Sequence, residues 1–401
     1  MAVLARTRFS FKVFDRPNRR VISVIPKKHN LPNNPGTVAP TTRRLTRTAA
    51  IDAFPHDPRL TVVMVNYQSW PEALRLALEL EAEPELERGQ CEIVIVDNAS
   101  TGPIPGLLLV PRAGLCLIER HDNGGFAVGV NAGCRAARGR WLLVLNPDVE
   151  IEPGFLSQVL ARIEHHERAP EGVPGIVGFG LKNSDGSRQG SVGAFPSLGR
   201  AIWEQLLPRG RRKYQPAWRI RSGPVDWVTG CCMLVNRAMI DELGGMDEDF
   251  FLYYEEVAFS RSAQRRGWRV VFDDQASVIH RHPLQNRPVS PKMRVILRHS
   301  KLLYFLKHLP AWQFLVLDGI VGIEAAVRGG WSARLGRSAD ARAWRTIGMI
   351  ATRLRRDGGP RGREVLTLAE GVESAAAGGI GAGRGPLGRP AARSTSTRET
   401  I

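Results

Sequence analysis

Cysteine is scarce in this sequence, with five residues in 401: Cys91, Cys116, Cys134, Cys231 and Cys232. They form no C-x-x-C pair and no metal-ligand spacing, which excludes a disulfide framework or a zinc ribbon and points to a reducing compartment. Long apolar runs are also missing. The nearest candidate, Leu309 to Val327, is interrupted by Pro310, Asp318 and Glu324, and one mid-span Asp costs roughly 2.5–3.5 kcal/mol on insertion scales. The N-terminus has basic residues but no uninterrupted apolar segment, which argues against a secretory signal. Internal repeats are absent. These absences predict a cytoplasmic protein without a membrane span.

Acidic residues are under-represented: 39 Asp and Glu against 56 Lys and Arg leave a net charge of +17. The excess is localised. Residues 1–50 hold eleven Lys or Arg and a single acid, Asp15, for +10. Rich in Arg, Pro and Asn, with no sustained period, this stretch reads as a disordered basic arm. Such an arm suits an anionic partner: phospholipid headgroups, nucleic acid or a pyrophosphate-bearing substrate.

Pattern begins at Arg59. Leu60–Val65 is a short apolar run rich in β-branched residues, as in a buried strand. Glu92–Asp97, Leu115–Glu119 and Trp141–Leu145 repeat the signal, with helical periodicity over 71–88 and 126–138 between them. Strands alternating with helices predict an α/β domain with a mostly parallel central sheet. A further helix follows Pro153. Residues 170–225 are dense in Gly and Pro and read as loops and short strands, and pattern resumes at Val225 through Val270–Phe272 to His280. Beyond Pro291, Arg294, Arg298 and Lys301 share one helical face. The sequence after Gly371 is Gly/Ala/Arg/Ser-rich low complexity.

Ligands of open α/β sheets bind beyond the carboxyl ends of the strands. Polar residues recur there: Asn66 after the first run, Asp97 and Asn98 after the second, and Asn146-Pro147-Asp148 after the fourth. Asn123-Gly124-Gly125 precedes the 126–138 helix, with Asn131 one turn inside it. Each alone is an ordinary turn or cap. Together they suit a nucleoside diphosphate: an Asp accepts the imide N–H of a pyrimidine, Gly-Gly lets a backbone approach the diphosphate, and a carboxylate such as Asp148 holds Mg²⁺ or Mn²⁺ against phosphate oxygens. No G-x-G-x-x-G follows the first strand, where Asn66-Tyr67-Gln68-Ser69 stands, so a dinucleotide enzyme is discounted. No glycine-rich, Arg/Lys-bearing loop is found there either, which discounts a sugar nucleotidyltransferase.

The segments VVMVNYQSW, IVIVDNAST, NGGFAVGVNAG, LLVLNPDVEIEPG, VDWVTGCCMLVNRAMIDELGGMDEDFFLYYEEVAFSRSAQRRGW and VIHRH resemble family 2 glycosyltransferases, in particular the bacterial rhamnosyltransferase-like branch. The resemblance spans about residues 59–285. It implies the GT-A fold and inverting, metal-dependent transfer from a nucleoside-diphosphate sugar. Carried over residue by residue, it assigns Asn66, Asp97 and Asn98 to the nucleoside, and Asn123, Gly125 and Asn131 to the nucleotide and sugar pocket. It further gives Asp148 and His280 to the metal, Trp227, Thr229 and Gly230 to the acceptor floor, and Glu255-Glu256 to catalysis with Glu256 as base. Two departures stand out. The usual Asp base is a Glu here, and the acid commonly found at position 258 is Ala258.

The expected organisation is a basic arm (1–57), a GT-A domain (58–285), a helical extension (286–370) and a disordered tail (371–401). The expected donor is dTDP-rhamnose, with a UDP-sugar as the alternative, and the acceptor a saccharide or lipid-linked glycan. The Arg294, Arg298, Lys301 stripe suggests peripheral attachment to an anionic membrane. A nucleic-acid-binding protein without catalysis is the rival reading. It rests on the arm alone, since the core lacks interleaved aromatic and basic residues of the kind that stack bases.

Overall fold

The computed structural model describes residues 57–204, 214–281 and 289–377; the basic arm and most of the low-complexity tail lie outside them. The first half contains β1 (Leu60–Asn66), α1 (Trp70–Glu81), α2 (Pro84–Glu87), β2 (Cys91–Asp97), α3 (Gly106–Leu109), β3 (Leu115–Glu119), α4 (Phe126–Ala136) and β4 (Trp141–Leu145). Next come β5 (Val149–Glu150), α5 (Phe155–Glu167), β6 (Ile176–Lys182), β7 (Arg188–Gln189), β8 (Val192–Gly193), α6 (Leu198–Trp203), β9 (Gly223–Pro224), β10 (Trp227–Val228) and β11 (Cys232–Asn236). After α7 (Arg237–Leu243), α8 (Glu255–Arg265) and β12 (Val270–His280), the chain becomes helical: α9 (Pro291–His308), α10 (Ala311–Arg334), α11 (Ser338–Asp357) and α12 (Arg363–Ala377).

Among the described residues, the main sheet runs β3-β2-β1-β4-β11-β6-β12-β5. The expected α/β architecture with a mostly parallel sheet and a helical C-terminal part is therefore present. Pairings β3–β2, β2–β1, β1–β4 and β6–β12 are parallel, while β11 lies antiparallel to both β4 and β6. The β2 strand is buried at every position, which its unbroken apolar run requires of a strand covered on both faces. Each Val, Ile or Leu sealed there contributes about 1.5–3 kcal/mol.

Local signals set the helix ends. Pro71 sits in the first turn of α1, where its missing N–H costs nothing. The helix expected over 71–88 breaks after Glu81, and Pro84 restarts it as α2. The Asn236 side chain accepts from Ala238 N, and left-handed Gly244 closes α7. The tail expected from residue 371 begins later, since α12 continues to Ala377.

Within residues 170–225, expected to hold loops and short strands, β6 is a seven-residue central strand. Its glycines hide it: a Cβ on Gly178 would meet Val228 Cγ1 at 2.5 Å, so the strand gives up β-propensity for close packing against β10.

The extension is not an appendage. Phe250, Phe251 and Val257 share one apolar cluster with Val295, Leu303, Tyr304 and Ile347. Ser300 Oγ donates to Leu252 O at 2.8 Å, and the rings of Tyr254 and Tyr304 lie 5.7 Å apart. Through these contacts α9 supports the turn that leads into α8.

Candidate active site

Two groups of polar side chains collect at the carboxyl ends of the parallel strands. The first joins β1 to β2, whose register sets Asn66 opposite Asp97. Asn66 Nδ2 donates to Asp97 Oδ1 (3.0 Å) and to Ser100 Oγ (3.2 Å). Ser100 N donates to Asp97 Oδ2, and Gln68 N donates to Ser100 Oγ. Asn98 Nδ2 reaches Asn123 Oδ1 at 2.9 Å and Gly125 O at 3.0 Å. Five of the expected residues (Asn66, Asp97, Asn98, Asn123 and Gly125) thus form one hydrogen-bonded set.

Glycine is obligatory at position 125. Its φ is +97°, and a Cβ there would lie 2.1 Å from Phe251 O. The close approach also lets Phe126 N donate to Phe251 O at 3.0 Å, which couples this loop to the segment before α8. Asn131 takes a different place. Its amide bridges Met246 N, Met246 O and Glu248 Oε1, tying α4 to the loop after α7 instead of joining the other five.

The second group lines a cavity of about 750 Å³. Asn146, Asp148, Gln189, Thr229, Trp227 and His280 line it from the sheet domain. Arg294, Arg298 and Lys301 from α9 and Arg328 from α10 line it as well. His280 arrives because β12 pairs with β5, setting His280 opposite Val149 and so beside Asp148. Its Nε2 lies 3.4 Å from Asp148 Oδ2, and its Nδ1 lies 2.8 Å from Gln189 Oε1.

The Gln189 amide is oriented by its own Nε2, which donates to Asn183 Oδ1 at 3.0 Å. Oε1 therefore accepts from Nδ1–H of His280, and in a neutral ring the Nε2 lone pair faces the Asp148 carboxylate. Two acceptors turned toward each other are complementary to a cation. Carboxylate oxygen and imidazole nitrogen suit Mn²⁺ or Mg²⁺. Among the described residues no third His, Cys, Asp or Glu joins them, so water and donor phosphate oxygens would complete the shell, as they usually do for these ions. Cys231 also lines the cavity, but burial, helped by nearby Asp148, pushes its thiol far above the ordinary range. It is no nucleophile.

Trp227 and Thr229 line the same cavity as Asp148 and His280. Trp227 Nε1 donates to Ala194 O at 3.0 Å, and Thr229 N donates to Ser191 O at 2.8 Å. A Cβ on Gly230 would lie 3.1 Å from the Phe126 ring and 3.9 Å from Glu256 Cβ, so the turn between β10 and β11 passes close to the acidic pair. Glu255 and Glu256 open α8 and are buried, where the helix N-terminus stabilises negative charge. They follow Tyr253 and Tyr254, whose side chains line the cavity and whose φ values are +68° and +70°.

Two successive non-glycine residues in the left-handed region cost of order 1–3 kcal/mol each. The other two positive-φ residues of this kind among the described ones, Gln68 and Ala99, lie in the turns after β1 and β2. Backbone strain is confined to the two groups. The sequence reading missed Gln189, Ser100 and the tyrosine pair. Gln189 carried no signal, being in an aperiodic glycine-rich stretch, whereas the tyrosines adjoin an acidic pair already singled out.

The basic stripe expected to meet a membrane turns inward. Arg294 pairs with Asp340 (2.5 Å), Arg298 with Glu324 (2.8 Å) and Lys301 with Glu204 (3.4 Å). Its side chains are only 12–25% exposed.

Residues 61–244 match the model of glycosyl transferase family 2. N-acetylglucosaminyl-diphospho-decaprenol L-rhamnosyltransferase of Mycobacterium tuberculosis is 27% identical over 279 residues, covering 63% of this chain and 86% of the relative. The low-salt glycan biosynthesis hexosyltransferase Agl10 of Haloferax volcanii is 24% identical over 247 residues, 59% of this chain and 72% of that protein. Among solved structures, mannosyltransferase PcManGT from Pyrobaculum calidifontis in complex with GDP-Man and Mn²⁺ is similar at 16% identity. It covers 86% of this chain and 80% of its own, with a TM-score of 0.40.

Proposed function

The chain carries a family 2 glycosyltransferase domain over residues 61–244, and on that premise we propose that it transfers rhamnose from dTDP-rhamnose, with inversion, to a hydroxyl of a lipid-linked diphospho-saccharide. The observation that carries this reading is the one cavity lined by Asp148, His280, Trp227 and Thr229 together with arginines of α9 and α10. The family and the similarity to the mycobacterial rhamnosyltransferase suggest the sugar and the acceptor class.

The residue roles proposed are those of the family resemblance, placed on the geometry above. Asp97 and Asn66 form the polar edge for a pyrimidine ring, and the Asn123–Gly125 turn brings backbone close to the diphosphate. Asp148 and His280 are the holders of Mg²⁺ or Mn²⁺; when bound, such an ion neutralises the charge that builds on the departing diphosphate. Glu256, just behind the Tyr253-Tyr254 turn, takes the proton from the acceptor hydroxyl. That hydroxyl would rest on Trp227 and Thr229, with the acceptor's own phosphates toward Arg294, Arg298 and Arg328. Ala258 takes away the acid commonly found two residues after the base, and the strained turn supports the position of Glu256.

Slow hydrolysis without acceptor tests the donor. Purified protein is incubated with dTDP-rhamnose, UDP-N-acetylglucosamine, UDP-galactose and GDP-mannose, and free nucleotide is measured. dTDP release above the other three is the expected outcome. Preferential consumption of a UDP-sugar would replace the rhamnose assignment.

A further inference from the structure

Helix α10 buries one face, with Phe314, Leu317, Asp318, Val321 and Ala325 turned inward. The opposite face has no cover among the described residues. Trp312, Leu315, Ile320, Ile323, Val327 and Trp331 are between 37% and 69% exposed. With Val316, also exposed, Trp312, Ile320, Ile323, Val327 and Trp331 fall three and four apart and form one stripe about 28 Å long at the α-helical rise, with Leu315 at its edge. From 311 to 327 every exposed residue of the helix is uncharged and apolar or glycine.

The two acids that disqualify this segment as a membrane span point the other way. Asp318 is buried against Arg355 at 3.0 Å, and Glu324 pairs with Arg298. No helix among the described residues is long and apolar enough to cross a membrane. What remains is a helix with one protein-facing side and one apolar side, as in helices that lie in the plane of a bilayer surface.

Charge identifies the occupant. Where the stripe ends, a cavity of about 720 Å³ opens beside Trp331, lined by Arg294, Arg328, Arg334, Arg337 and Trp344, with Asp340 as its acid. Arg294 is taken up by Asp340, whereas Arg334 and Arg337 are exposed. A tryptophan at each end and arginines at one end are the residues that prefer the headgroup boundary. A second copy of the chain would bring the same arginines and the same net +17 against itself; an anionic surface would not. We infer that the outer face of α10 lies in the headgroup region of an anionic phospholipid bilayer, with a lipid phosphate seated between Arg334 and Arg337.

The basic stripe on α9 is not the docking element; it serves the interior. Arg294, Arg328 and Trp344 line both this cavity and the site cavity, so docking sets the mouth of the site at the leaflet. That last step rests on the proposed lipid-linked acceptor, while the docking itself does not.

The test uses the full-length chain, the triple variant Ile320→Glu, Ile323→Glu, Val327→Glu, and the pair Arg334→Glu, Arg337→Glu. Co-sedimentation is measured with phosphatidylcholine vesicles with and without phosphatidylglycerol. The unmodified chain should bind the anionic vesicles, the triple variant roughly a hundredfold more weakly, and the arginine pair about tenfold or more. Brominated lipid should quench Trp312 and Trp331, identified by Trp312→Phe and Trp331→Phe. Unchanged melting temperature and donor hydrolysis establish that the variants fold. Equal vesicle binding by the triple variant overturns the inference, leaving the N-terminal arm as the anchor. So does failure of the unmodified chain to bind, or a dimer by light scattering that the triple variant abolishes.

Discussion

The side-chain oxygen of Gln189 lies 2.8 Å from Nδ1 of His280, and that single contact decides which nitrogen of the imidazole faces Asp148. Gln189→Leu removes the acceptor and frees the ring to take the other tautomer. Partners of metal-binding histidines typically contribute 10–100-fold in affinity, so Mn²⁺ should bind about that much more weakly. Titration by electron paramagnetic resonance in the presence of the nucleotide reads the affinity, and the ¹⁵N shifts of His280 read the tautomer. An unchanged ¹⁵N pattern would remove the positioning role.

Asp148→Ala tests the other half of the pair. Asp148 follows β4 beyond its buried run, so transfer and divalent-cation dependence should vanish while the melting temperature holds within about 1–2 °C. Full activity of the unmodified enzyme in EDTA would dismiss a metal-dependent reaction.

General bases contribute about 10²–10⁴-fold, and Glu256→Gln should lower kcat by that much with little change in donor KM. Steady-state kinetics of Glu255→Gln provides the contrast. A crippled Glu255 variant beside a near-normal Glu256 variant would exchange the two roles.

Gly125→Ala places a methyl 2.1 Å from Phe251 O at a φ that side chains rarely adopt. The loop has to move, at a cost of at least about 1–3 kcal/mol. A lower melting temperature together with loss of donor binding in calorimetry is expected, because Asn98 anchors to the same residue.

Acid should weaken the fold before it protonates the structural carboxylates. Burial lowers His299 to about 4, against the Pro360 carbonyl contact and nearby Asp249 and Glu364, which raise it. His308 is likewise lowered to about 4 by burial and by Arg265 and Arg261. For a histidine held neutral in the fold, the stabilisation is complete above its unfolded value near 6.5 and is lost as pH falls through about 4. Urea unfolding at about pH 7.5 should therefore give a higher stability than at about pH 5, with buried His299 contributing about 2 kcal/mol of the difference. His299→Gln should remove that share and leave the smaller one of His308.

The strands and the acceptable ligand types were legible because apolar runs and strand-end polar residues are local signals. The runs Leu60–Val65, Glu92–Asp97 and Trp141–Leu145 match β1, β2 and β4 to within a residue, while the pairing of Asn66 with Asp97 comes from register. β6 was illegible because its glycines answer to Val228, some fifty residues away. Asn131 looked like its neighbours in sequence, yet its helix position turns it to the 245–248 loop. Gln189 reaches the site only because β7 pairs with β6, a long-range fact. The charges that speak against a membrane span in Leu309–Val327 were read correctly as a sum, but their direction around the helix belongs to the fold.

The packing of Tyr254 on Tyr304, together with the Ser300 contact to Leu252, bears on how such enzymes can diversify. The turn that carries the acidic pair is braced by a helix lying outside the segment that matches the family model. Acceptor preference cannot then be exchanged as a cassette cut at residue 285: a graft that replaces α9 also replaces the brace, and a chimera has to carry residues 250–308 as one inherited block.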